Sequence, residues 1–300
     1  MKSPFVICGA TGNVGSKVAG ALLAAGEPVR GIARERVRLG PLAARGAEPF
    51  PGDIGDAKFL SKAFTGARAV FVMLPTSFNV SDMREYQDRL GESLVSALSD
   101  ARVPRVVTLS SVGAHLSRGT GPILGLHGLE TKIDTLTATA AMHLRPGYFM
   151  ENHLFSLPVL RERGINGSPI RPDAQIPMVA TKDIADVAAR LLRDETFTGR
   201  AVRYLLGPRD LTMSEATRIL GQAIGRPDLK YVQFSEEEAR KAMTGMGMSE
   251  SAVDAMLEMD RGFNEGTIRS TRERNAESTT PTTLEEFAKT VFAHAYRAAA

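Results

Sequence analysis

Phe5-Val6-Ile7-Cys8-Gly9-Ala10-Thr11-Gly12-Asn13-Val14-Gly15 joins an apolar run to a turn with three glycines, and opens a segment with Val14, Val18, Ala21, Leu22 and Ala25 on one face and an end at Gly26. Strand, glycine-rich turn and helix in that order predict a cradle for a dinucleotide phosphate. Gly9 permits the tight turn, Gly12 lets backbone amides approach a diphosphate, and Gly15 lets the helix pack closely on the strand with its N-terminus facing the anion. Thr11, Asn13 and Val14 complete the cofactor-binding candidates of this turn. The same glycines are also compatible with a plain tight connection between strand and helix.

Working outward, the second apolar run, Val29 to Arg34, ends where such folds carry an acid that accepts from the ribose hydroxyls. Here the place holds Arg34, followed by Arg36 and Arg38 with Glu35 between them. A guanidinium grips a 2′-phosphate through parallel charge-assisted hydrogen bonds, so NADP(H) is preferred. Glu35 turned toward a ribose would serve NAD(H) instead, and a solvated arginine face would serve neither.

Short apolar runs near 4–8, 28–33, 47–50, 68–73, 104–109 and 141–145 alternate with helical patterns near 13–25, 38–45, 56–64, 80–101 and 129–138. This alternation predicts an α/β fold, a doubly wound parallel sheet of Rossmann type. Ligands bind at the C-terminal ends of such strands, which singles out Asp53 and Ile54, Leu74 and Pro75, Ser110, and Tyr148 and Phe149. Asp53 is suited either to an adenine amino group or to a simple turn into the next helix, which Asp56 would cap. We expect residues 1–154 to form the nucleotide-binding domain, with 178–194 returning to it, and 155–177 and 195–300 to form a smaller α-rich C-terminal lobe. In that lobe Thr212-x-x-Glu215, Ser235-x-x-Glu238 and Thr282-x-x-Glu285 match capping boxes. Val202 to Leu206 reads as a short extended run within it, and Asn275 to Thr283 as a flexible linker. The methionines at 243, 246, 248, 256 and 259 read as core packing, not as a metal site.

The chain has 300 residues, 43% of them apolar, and a formal charge of +3. Acids and bases are interspersed, so nucleic acid is not an expected partner. One cysteine rules out an intramolecular disulfide, and no apolar run approaches membrane-spanning length, so no membrane partner and a cytoplasmic location are expected.

Ser110-Ser111 after the fifth strand is similar to short-chain dehydrogenases, in which a tyrosine and a lysine four residues later handle the proton. No Tyr-x-x-x-Lys occurs here: Tyr86, Tyr148, Tyr204, Tyr231 and Tyr296 precede Leu90, Asn152, Pro208, Ser235 and Ala300 at that spacing. In Gly125 to Lys132, His127 is a candidate proton donor with Glu130 or Lys132 to tune it. It reads equally as a hydrogen-bonding histidine at the start of a helix.

Gly9 to Gly15, Gly52-Asp53, Leu109-Ser110-Ser111-Val112-Gly113-Ala114 and Leu144-Arg145-Pro146-Gly147-Tyr148-Phe149-Met150-Glu151-Asn152 together resemble the NmrA-like atypical short-chain dehydrogenase/reductases over roughly residues 3 to 235. The resemblance implies an NADP(H)-binding Rossmann domain with the nicotinamide near Tyr148 to Asn152. It implies either an NAD(P)H-dependent reductase, with quinones among the acceptors, or a cofactor-binding redox sensor that regulates transcription through protein partners. Lys132 lies near the lysine that phenylpropanoid reductases of the group use. For a quinone-like substrate, Phe149, Met150 and Phe155 would flank an apolar slot and Asn152 would bind an acceptor oxygen. A homodimer is compatible with this picture.

Overall fold

The computed structural model describes residues 2–298. In chain order the first half runs β1 (Phe5–Cys8), α1 (Gly15–Ala24), β2 (Val29–Ala33), α2 (Gly40–Ala43), β3 (Glu48–Pro51), α3 (Ala57–Phe64), β4 (Ala69–Val72), α4 (Met83–Asp100), β5 (Arg105–Leu109), α5 (Ile123–Asp134) and β6 (Ala140–Pro146). The second half runs β7 (Tyr148–Phe149), α6 (Leu157–Arg163), β8 (Asn166–Ser168), β9 (Ile176–Val179), α7 (Thr181–Arg193), β10 (Arg200–Leu205), β11 (Asp210–Leu211), α8 (Met213–Ala223), β12 (Tyr231–Gln233), α9 (Glu236–Gly245), α10 (Glu250–Asn264), α11 (Leu284–Phe287) and α12 (Ala293–Ala298).

Seven strands form one parallel sheet in the order β10-β6-β5-β4-β1-β2-β3. In β1, Phe5 and Ile7 pack on one face, under α1 and α7, while Val6 and Cys8 pack on the other, under α3, α4 and α5. All four are fully buried, and a strand covered on both faces must be apolar throughout. The order reverses between β1 and β4, which opens a crevice at their C-terminal ends. A third core, including Met150, Met178, Tyr204, Leu220, Phe287 and Phe292, seats the C-terminal lobe on the sheet's end.

Four expectations need correction. Val202 to Leu206 is not a run inside the smaller lobe: β10 pairs in parallel with β6, Ala201 opposite Met142 and Leu205 opposite Pro146, and widens the main sheet. The helix expected from 129 begins at Ile123, with the Gly121 amide held by Glu258 at 2.9 Å just ahead of it. Asn275 to Thr283 is a fixed strap, since Ser278, Thr280 and Thr282 are buried and the Leu206 amide donates to the Ser278 carbonyl at 2.8 Å. Thr282 is no cap, because its amide and hydroxyl both donate to buried Asp183, at 2.9 and 2.7 Å, and Thr283 caps α11 in its place. The boxes at Thr212 and Ser235 are complete. Among the described residues no helix is long and apolar enough to cross a membrane.

Candidate functional site

The β1–α1 turn is shaped by what its glycines exclude. Gly9 sits at φ +66°, where other residues are strained, and a Cβ there would meet Met73 Sδ at 2.9 Å, so the loops after β1 and β4 touch. A Cβ on Gly15 would lie 2.2 Å from the Gly9 carbonyl oxygen, whereas one on Gly12 would meet only that oxygen, at 3.4 Å. Gly15 is therefore required by the fold itself, and the space over Gly12 is free. The amides of Thr11, Asn13 and Val14 find no acceptor among the described residues, and no side chain caps α1. Unpaired donors at an uncapped helix N-terminus, beneath open space, fit a diphosphate.

Lys17, which sequence reading missed, reaches back from α1 to the Asn13 carbonyl at 2.8 Å and across to Thr181 Oγ1 at 3.0 Å. Thr181 opens α7 and gives its hydroxyl and its amide to the Glu151 carboxylate, which thereby caps α7. The chain Glu151–Thr181–Lys17–Asn13 ties the segment after β7 to the glycine turn. The only signal in the sequence is Thr181 just ahead of a helical pattern, and nothing there names its partner.

Around the crevice, Arg34, Arg36 and Arg38 are exposed and free of ion pairs among the described residues, as is Glu35. Asp53 is exposed, and its Oδ1 accepts from the Gly55 amide at 2.8 Å. The turn role is thus realised, with Oδ2 left over, and Asp56 caps α3 as expected. Ile54 packs against the core beneath α3, Leu74 is buried, and Pro75 is half-buried beside it. Ser110 is buried at the end of β5, its hydroxyl without a partner.

The two proton-handling candidates separate. His127 lies a turn into α5 with Nδ1 2.9 Å from the Ala114 carbonyl. That bond puts the proton on Nδ1 and leaves Nε2 bare in the neutral ring. Lys132 lies on the α4-facing side of α5, its ammonium 3.2 Å from Asp88 and 3.7 Å from Glu92. At about 1.5 Å per residue it is roughly 14 Å along the helix from Ile123, toward the N-terminal ends of the strands and away from the crevice. Glu130, the other group expected to tune His127, is buried and holds Arg145 through two hydrogen bonds, and Arg145 also donates to Tyr204 at 3.2 Å, a partnership that the sequence did not announce. Burial, and then the Arg145 charge, lower the His115 pKa.

Tyr148 and Phe149 leave the sheet as β7, which pairs with β9. Phe149 packs against the sheet core. Met150 does not line an open slot: it is 1% exposed and belongs to the third core. Phe155 is 80% exposed and flanks nothing. Asn152 is half-buried and its amide has no partner among the described residues. The Tyr148 ring lies 5.6 Å from that of buried His153 and 6.4 Å, edge-on, from Phe263 of α10. Burial drives the His153 pKa down to about 4 and raises that of the Tyr148 phenol.

The family model described as the NmrA-like family matches residues 1–288. The chain belongs to that family. It is 31% identical over 257 residues to an NAD(P)H azoreductase of Xenophilus azovorans, covering 85% of each chain. Its fold is that of an NADPH-dependent quinone oxidoreductase of Escherichia coli solved with NADPH, at 23% identity and a TM-score of 0.81 over 96% of this chain and 99% of the other. It also matches the fold of a triphenylmethane reductase of Citrobacter sp. solved with NADP(H), at 22% identity and a TM-score of 0.78 over 95% and 99%.

Proposed function

We propose that this member of the NmrA-like family is an NAD(P)H-dependent oxidoreductase that reduces quinone-like small acceptors, with NADPH preferred. The observation that carries the reading is the cradle over Gly12, with three unpaired amides and an uncapped helix at the point where the strand order reverses. The azoreductase and quinone oxidoreductase relatives support the same chemistry.

In this reading Thr11, Asn13 and Val14 hold the diphosphate, and Arg34 takes the 2′-phosphate with Arg36 and Arg38 adding to the field. Asp53 Oδ2 faces the adenine side, and Ser110, Tyr148 and Phe149 border the nicotinamide side, with Leu74 and Pro75 between. When bound, the reduced nicotinamide supplies the hydride. The protein's part is placement: Glu151, through Thr181 and Lys17, fixes the glycine turn relative to the loop that carries Tyr148. Asn152 offers its amide to an acceptor oxygen.

The test is NADPH oxidation followed with a panel of quinones and azo dyes. Steady turnover is the expected result. Saturable NADPH binding without turnover of any acceptor would overturn the reductase reading and favour a cofactor sensor acting through a protein partner.

A further inference from the structure

Three polar side chains about the Tyr148 loop make no hydrogen bond among the described residues. Asp260, on α10, is 7% exposed, and its carboxyl makes no hydrogen bond or ion pair. His153 is 2% exposed with Nε2 unpaired, and the hydroxyl of the half-buried Tyr148 makes no hydrogen bond among the described residues. A buried polar atom normally finds a partner, because leaving it unpaired costs about 1–3 kcal/mol, so the bare His153 nitrogen and the partnerless Asp260 carboxyl about one tyrosine mark a place suited to meet something else.

The helix that carries Asp260 is firmly set over the sheet's C-terminal ends. Its Glu258 accepts from the Gly121 amide at 2.9 Å. Gly121 fits against it only because it has no Cβ, which would fall 1.9 Å from the Ala255 carbonyl oxygen. Phe263, one turn beyond Asp260, presses on the Tyr148 ring. The nearby charges are otherwise engaged: Arg261 pairs with Glu236 of α9 at 2.8 Å, and the Tyr231 hydroxyl of β12 is taken up by Ser168 and Ile170. Among the described residues no cation forms an ion pair with Asp260.

We infer that Asp260 is the proton donor of this reductase, handing its carboxyl proton to the oxygen or nitrogen of an acceptor seated against Tyr148. This rests on the proposed function. A neutral acceptor that gains a hydride becomes an anion. The O–H bond of Asp260 breaks, a new O–H or N–H bond forms on the reduced acceptor, and the carboxylate left behind recovers a proton from solvent. The site thus supplies from a distant helix what the absent tyrosine–lysine pair supplies elsewhere. Burial, reinforced by the Glu236 charge and opposed by Arg261, pushes the Asp260 pKa up to about 7, so the carboxyl holds a proton where a reductase needs one.

The experiment compares p-benzoquinone, whose reduction needs a proton, with a cationic triarylmethane dye, a carbocation that a hydride alone neutralises. In Asp260→Asn the quinone-to-dye rate ratio should fall on the order of 100-fold. The wild-type quinone rate should decline as the pH rises past about 7, a decline that the variant does not share. Independently of cofactor, infrared difference spectra of the wild-type chain against Asp260→Asn should show a protonated-carboxyl band that fades across the same pH range. An unchanged ratio with an active wild type, or a carboxyl that titrates in the ordinary range, overturns Asp260 as donor alone. A wild type that reduces neither acceptor overturns the reductase reading and the donor role together.

Discussion

The two walls of the crevice work by opposite means. On the β1–α1 side the crevice is lined by backbone: unpaired amides of Thr11, Asn13 and Val14 beside a glycine, with no side chain filling the space over Gly12. On the α10 side the crevice is bordered by side chains, the half-buried Tyr148 and the buried His153 and Asp260, none of which has a side-chain hydrogen bond among the described residues. A backbone cradle is held by close packing and costs the fold little. A wall of unpaired side chains is a standing expense in stability, which the third core beneath it must offset.

The sharpest way to break the contrast is Gly12→Val. A Cβ at Gly12 meets only the Gly9 oxygen, at 3.4 Å, so the variant should fold with an unchanged melting temperature, yet lose NADPH affinity by more than about 10³-fold, some 4 kcal/mol. Tight binding in a folded Gly12→Val chain, followed by calorimetry, would reduce the glycine turn to a connector.

That wall was legible in the sequence because its mechanism is local: three glycines at fixed offsets after an apolar run dictate the geometry whatever the rest of the chain does. The sheet was legible for a similar reason, since alternating apolar runs report burial on both faces. The α10 wall was not. Asp260 is one acid among several on α10, and what sets that helix beside the Tyr148 loop is the packing of Phe263 on the Tyr148 ring, which no local pattern announces. Lys132 lies farther along α5 than a helix start at 129 implies, because the helix begins six residues earlier, at Ile123. The place of β10 is not legible either, because an alternating run such as Arg200-Ala201-Val202-Arg203-Tyr204-Leu205 does not say which sheet it joins.

The next largest effect belongs to the side-chain wall. The Asp260 pKa is raised from its ordinary value to about 7. A raised carboxyl pKa contributes stability that is whole below the unfolded-state value and is lost as pH rises toward about 7. Above that range Asp260 costs up to about 4 kcal/mol. Asp260→Asn should therefore raise the melting temperature at pH 8 and not at pH 4. Equal effects at both would place the carboxyl in water. His153 has the opposite sign: its depressed pKa makes the fold lose stability as pH falls from about 6.5 toward 4.

A smaller effect sharpens the backbone side. Arg34→Glu replaces attraction with repulsion at the 2′-phosphate and should weaken NADPH about 10- to 100-fold while leaving NADH nearly as it was, since one charge-assisted contact is worth about 1.5–3 kcal/mol. An unchanged NADPH-to-NADH ratio in paired titrations would move the 2′-phosphate away from Arg34.

All of this rests on a nicotinamide dinucleotide lying across the β1 and β4 ends. Calorimetric titration of the unsubstituted chain tests it most directly: NADPH should release heat and saturate at one site, at least about 10-fold tighter than NADH. A well-folded chain that gives no heat with either form would contradict the account.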